Sequence, residues 1–174
     1  MKIFCYGAGT TLEDIGWQVY LGLVALLAGS AFFSASETAF ATVNTIRLKN
    51  YADAGDKKAA MALKIAEMYE KTLSSILIGN NLVNIAISSI AAVLFTSWMG
   101  NAGTWVSTIV VTIVVLIFGE ILPKTFAKEH SEKVALGVCG VLLAFITVLT
   151  PVSFLFLKMQ HGFINLFKGE KKQP

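Results

Sequence analysis

The chain has 174 residues, 55% of them hydrophobic and 14% charged, with a net charge of +3 at pH 7 and a mean hydropathy of +0.69. Soluble domains average roughly 25% charged residues, so a soluble monomer is nearly excluded and an integral membrane protein is expected. The small positive charge makes no case for nucleic acid, and two cysteines, Cys5 and Cys139, are too few for a disulfide scaffold.

A transmembrane helix needs about 20 mainly apolar residues. The N-terminus carries only Lys2 before a polar patch, and the apolar run after it is too long for a signal peptide. The first candidate span runs from about Trp17 to Val43 and holds one ionisable residue, Glu37. The segment from Thr45 to Lys71 is different: it carries Arg47, Lys49, Lys57, Lys58, Lys64 and Lys71 against Asp53, Asp56, Glu67 and Glu70. Ala54-Gly55-Asp56 reads as a turn, so the segment is expected to be a helical hairpin at the membrane surface.

The second span runs from about Thr72 to Met99, with no charge but with Asn80, Asn81 and Asn84. The third runs from about Trp105 to Phe126 and contains Gly119-Glu120-Ile121-Leu122-Pro123-Lys124. A fourth apolar stretch, from about Val134 to Leu157, is interrupted by Pro151, and Phe154 to Phe167 reads as an interfacial amphipathic helix.

Basic residues favour the cytoplasmic side. The 45–71 segment, the Lys124/Lys128/Lys133 group and the lysine-rich tail are therefore expected inside, and the uncharged 100–103 loop and the N-terminus outside. The fourth apolar stretch then has cationic flanks at both ends. A re-entrant or interfacial helix pair, broken at Pro151, keeps both flanks inside. The expected fold class is thus all-α integral membrane: three transmembrane helices plus a cytosolic helix pair and re-entrant or juxtamembrane helices.

Polar groups at membrane depth cost at least about 2.5–3.5 kcal/mol when charged, so they tend to be functional. Three clusters stand out. In Ser34-Ala35-Ser36-Glu37-Thr38, Ser30, Ser34 and Glu37 share one helix face at i, i+4, i+7, with Ser36 on the other side. The structural alternative is small packing residues and a snorkelling glutamate. In the second span Asn80 and Asn84 are an i, i+4 pair, Asn81 and Asn84 an i, i+3 pair; asparagines also glue helices together. In the third, Glu120 and Lys124 at i, i+4 favour an ion pair, and Pro123 frees the Gly119 carbonyl at i−4. A salt bridge over a proline kink is the structural alternative. Hydroxyl, amide, carbonyl and carboxylate oxygens suit Mg²⁺, Ca²⁺ or Na⁺, and the lack of a His pair or paired Cys argues against zinc, copper or iron–sulfur centres. No enzyme is expected: Ser34 and Glu37 lack a histidine base, since His130 and His161 fall outside the spans.

Together, Phe32-Phe33-Ser34-Ala35-Ser36-Glu37-Thr38-Ala39, Ile78-Gly79-Asn80-Asn81-Leu82-Val83-Asn84 and Gly119-Glu120-Ile121-Leu122-Pro123-Lys124 resemble the transmembrane domain of the CorC/cyclin M (CNNM) magnesium transporter family, in order and spacing, over about residues 15–170. The resemblance implies a homodimeric domain that exports Mg²⁺, with proposed exchange for Na⁺. It implies ion ligands at Ser34 or Ser36, at Asn81 or its neighbours Asn80 and Asn84, and at Glu120. The Gly119 carbonyl joins this set from the proline argument alone, and Glu37, Pro123 and Lys124 are expected in the pathway or its gating.

The expected organisation is an extracytoplasmic N-terminus over 1–15, a transport domain over 16–168, and from 169 to 174 the start of a linker to cytosolic CBS modules that this chain lacks. A bacterial-type plasma membrane is the expected location, with the N-terminus outside and the C-terminus cytoplasmic. A membrane-embedded Mg²⁺ sensor or scaffold that binds the ion without moving it is the alternative from another functional class.

Overall fold

The structure is a computed structural model that describes the backbone of residues 16–167 and the side chains of residues 16–150. The expectations for 1–15 and 169–174 lie outside the described residues. Every element among those described is helical: α1 (Trp17–Thr42), α2 (Thr45–Asp53), α3 (Lys57–Glu67), α4 (Tyr69–Met99), α5 (Asn101–Val114), a π-helical segment (Val115–Ile121), α6 (Leu122–Glu129) and α7 (Ser131–Phe167). This is the all-α membrane architecture read from the apolar runs. Four helices among the described residues are long and apolar enough to cross a bilayer: Trp17–Thr42, Tyr69–Met99, Asn101–Glu129 and Ser131–Thr150. The chain divides into two compact units.

The first unit takes the chain up to Ala35 together with Gly79–Phe126. On α4 it buries Ile87, Ala91 and Leu94, at i, i+4 and i+7, as a single stripe. At Gly100 the chain reverses, with φ of +60°, a left-handed conformation that costs little only where no Cβ is present. Across the reversal, Thr96 on α4 and Thr104 on α5 join hydroxyls at 3.2 Å.

The second unit holds Ser36–Ile78 and the chain from Ala127 onward. The hairpin expected over 45–71 is present as α2 and α3. Both helices start on side-chain caps: Asn44 Oδ1 accepts from the N–H groups of Ile46 (3.0 Å) and Arg47 (3.1 Å), and Asp56 Oδ1 from those of Lys58 (2.8 Å) and Ala59 (3.3 Å). Each cap satisfies donors that the first helical turn cannot. α3 buries Ala59, Ala62 and Ile65 and packs against α7. In return α7 buries Ala135, Cys139, Leu142 and Ile146, spaced 4, 3 and 4 residues apart, the rhythm of one helical face. Arg47 on α2 reaches Glu132 on α7 at 3.0 Å.

One expectation is corrected here. Residues 134–157 do not form two short helices broken at Pro151, because α7 is continuous from Ser131 to Phe167. Proline removes one backbone hydrogen bond, the one to the Thr147 carbonyl, and an apolar helix can run through such a site without breaking. The 154–167 stretch is helical as expected, as the continuation of α7 rather than a separate element.

Candidate functional site

The polar groups of the first unit converge on a residue outside the three motifs. Ser30, fully buried on α1, donates from its hydroxyl to Asn84 Oδ1 at 2.8 Å, with Asn80 Oδ1 at 3.2 Å. A hydroxyl carries one proton, so it donates to one amide oxygen at a time. Three oxygens therefore meet in one place. Asn80 and Asn84 reach it together because residues four apart stack on one helix face. Asn81, about 100° further round the helix, is exposed and not part of this meeting point.

The third motif closes against the same hydroxyl. Gly119 is buried, and a Cβ added there would lie 2.8 Å from Ser30 Oγ and 3.3 Å from Ser30 Cβ. Glycine is thus required by close approach: any side chain would displace Ser30. The backbone here is π-helical from Val115 to Ile121, and the Leu122 N–H donates to the Ile117 carbonyl, five residues back. Pro123 follows at the second residue of α6, where the helix continues directly from the π segment. In the α register residue 123 would serve the Gly119 carbonyl, and in the π register that of Phe118. Having no N–H, Pro123 serves neither. Where a kink at Pro123 was expected, the helix instead carries a seven-residue π segment, a device often found at functional sites.

Glu120, next to Gly119, is half-buried. It lines an open cavity of about 220 Å³ with Asn84, Ser88, Thr112, Val111, Val115 and Leu116. Asn84 thus has two neighbourhoods, the buried Ser30 hydroxyl and this cavity. Ser34 lies one turn along α1 from Ser30. It is fully buried, and its Oγ has no hydrogen-bond partner. A buried hydroxyl without a partner costs on the order of 1–3 kcal/mol, and such orphans call for an explanation.

Ser36 and Glu37 belong to the second unit, Ser36 fully buried and Glu37 half-buried. Pro123 and Lys124 are half-buried in α6. The structure therefore gathers Asn80, Asn84, Gly119 and Glu120 through Ser30 and the cavity. Ser30 was legible only as a member of the Ser30/Ser34/Glu37 face; nothing local marks its two asparagine partners, 50 and 54 residues away. Among the described residues no three His, Cys, Asp or Glu side chains group as a metal site. The cluster is built of neutral oxygens with one carboxylate beside them.

A sequence profile of the cyclin M transmembrane N-terminal domain matches residues 21–174. The chain is 39% identical, over 89% of its length, to a UPF0053 protein of Haemophilus influenzae, and covers 38% of that protein. It is 43% identical, over 61% of its length, to the UPF0053 inner membrane protein YfjD of Escherichia coli, and covers 25% of it. It is also 27% identical, over 87% of its length, to the polyamine export protein of Haemophilus influenzae, and covers 38% of it. The chain thus spans well under half the length of these relatives.

Proposed function

The chain belongs to the cyclin M transmembrane-domain family, and from that premise we propose that it is a cation-export domain whose cargo is Mg²⁺. Export proceeds in exchange for Na⁺ and without enzymatic chemistry. The proposed ion position lies among Ser30, Ser34, Asn80, Asn84, the Gly119 carbonyl and Glu120. The proposed assembly is a homodimer in a plasma membrane, with the N-terminus outside, the C-terminus cytoplasmic and CBS modules following in the full-length protein.

The observation that carries this reading is the Ser34 hydroxyl, fully buried with no protein partner, one turn from Ser30. A cation in that position would accept the lone pair that no protein donor uses. Mg²⁺ favours hard oxygen ligands at about 2.0–2.1 Å. A single carboxylate among neutral oxygens suits transport, since the ion must leave as readily as it enters.

The test is Mg²⁺ efflux from loaded proteoliposomes, comparing the chain with its Glu120→Ala variant. Loss of flux in the variant supports the assignment, and equal flux removes it. Thermal stabilisation by Mg²⁺ with no flux in either protein moves the reading to an ion-locked sensor or scaffold.

The name of the 27% identical Haemophilus influenzae relative favours a second cargo, a polyamine. A polyamine spreads several ammonium charges along a chain and calls for several anionic partners. The cluster around Ser30 offers one carboxylate, which favours the compact ion. Spermidine efflux from the same proteoliposomes decides between the two cargoes.

A further inference from the structure

The cavity beside Glu120 has its own chemistry, distinct from the buried oxygens around Ser30. We propose that it is a second station on the ion path, where the cation is held with its water shell intact by outer contacts to Glu120, Asn84, Ser88 and Thr112. This rests on the cation-export reading above and extends it.

Volume is the first argument. Six waters occupy roughly 180 Å³ at about 30 Å³ each, and the cavity measures about 220 Å³. Mg²⁺ gives up its waters reluctantly, so a path that strips them in one place needs room to carry them beside it.

Polarity is the second. Waters bound to a divalent cation point their hydrogens outward, so a site for the hydrated ion must offer acceptors. Glu120 supplies a carboxylate. Ser88 spends its only proton on the Asn84 carbonyl at 2.9 Å, so towards a ligand its exposed oxygen can only accept. Thr108 and Thr125 donate to carbonyls four residues back in their own helix, whereas Thr112 makes no such bond among the described residues. Its hydroxyl can therefore turn to a ligand.

Position is the third. Asn84 and Glu120 belong to both places: Asn84 also binds the buried Ser30, and Glu120 adjoins the buried Gly119. Ser88 lies one turn beyond Asn84 along α4, and Thr112 about two turns from Glu120 back along the third span, both towards the Gly100 reversal. The two hydroxyls thus extend the polar path to one side of the shared pair, and the extension is exposed where the Ser30 end is buried.

Hexaamminecobalt(III) tests this, because it has the size of a hydrated Mg²⁺ and cannot release its ligands. Its binding to the purified chain is read by calorimetry, independently of transport. The unmodified chain should bind it, and the same ion should inhibit Mg²⁺ efflux. The Ser88→Ala/Thr112→Val double variant should weaken the binding by roughly fivefold or more, the scale of one to two lost hydrogen bonds. Thr108→Val, whose hydroxyl bonds within its own helix, should bind as the unmodified chain does. No binding, or equal binding by the double variant, overturns the second station. Either result leaves the efflux comparison with Glu120→Ala intact, so the two proposals fail separately.

Discussion

Ser30 Oγ lies 2.8 Å from Asn84 Oδ1 and so ties α1 to α4 through a buried hydroxyl. Removing the hydroxyl takes away the one donor that Asn84 Oδ1 and Asn80 Oδ1 share. Hydrogen bonds between membrane helices are worth about 0.6 kcal/mol on average and up to about 1.7 kcal/mol. Ser30→Ala should therefore lower stability by an amount in that range, read from unfolding titrations in detergent. It should also weaken Mg²⁺ binding, because Asn80 and Asn84 lose the group that aligns them. Unchanged stability together with unchanged affinity would show that the bond holds nothing in place.

The Gly119 contact makes a sharper prediction, because it is steric. A methyl group there would sit 2.8 Å from Ser30 Oγ, and overpacking of this kind costs about 1–3 kcal/mol. Gly119→Ala should be destabilising by that amount. Ser30→Gly, which empties the space, should recover part of the loss in the double variant. A double-mutant cycle measures the coupling; strictly additive effects would mean that the two residues do not touch in the working protein.

Most of the architecture was legible because long apolar runs have one stable solution in a bilayer, helices that satisfy their own backbone. The α2–α3 hairpin was legible from its charge and from Ala54-Gly55-Asp56. The Asn80/Asn84 pair was legible from spacing, but the face it presents was not. Which of three asparagines turns inward depends on where α1 packs, and Asn81 is exposed. The π segment was hidden for a related reason: Val115–Ile121 is nearly all apolar, so its pattern cannot separate a 3.6-residue period from a wider one. Pro123 gave only the place of the disturbance. Pro151 misled in the opposite direction, since a proline signals a lost hydrogen bond and not by itself a break.

Glu120 is the one carboxylate lining the cavity, which makes charge separable from size. Glu120→Gln keeps the shape and one carbonyl oxygen but removes the negative charge. Attraction for a divalent ion should fall more than for a monovalent one, since the Coulomb term scales with ion charge. Competition between Mg²⁺ and Na⁺ in a binding or flux assay should show reduced preference for Mg²⁺. Preserved preference would place the selecting charge elsewhere, with Glu37 the next carboxylate to test.

The hairpin of the second unit allows a prediction about local order. Asp56 caps α3 through two backbone N–H groups, at 2.8 and 3.3 Å. Replacing such a cap with alanine costs about 1 kcal/mol. Asp56→Ala should raise amide hydrogen exchange in the first turn of α3 by roughly fivefold, because each 1.4 kcal/mol is tenfold in an opening equilibrium. Exchange should stay unchanged in α5. Protection that is unaltered in α3 would mean the packing of Ala59, Ala62 and Ile65 holds the helix without its cap.

Pro123→Ala tests whether the register change matters to the ion. Alanine restores an N–H that can serve the Gly119 carbonyl in an α register, and it removes the ring that disfavours that register. The π segment loses one reason to exist, so Val115–Ile121 should shift towards ordinary α-helix. Taking out one residue's worth of bulge turns the preceding residues by about 100° relative to those that follow. Glu120 and the Ser88/Thr112 side of the cavity then no longer share an opening as they do now. The helix itself should gain stability while Mg²⁺ affinity falls, a pairing that a simple loss of folding cannot produce. Thermal unfolding and Mg²⁺ titration of the same sample read both. If stability rises and affinity holds, the π segment is a consequence of packing at Pro123 and has no part in shaping the ion's path.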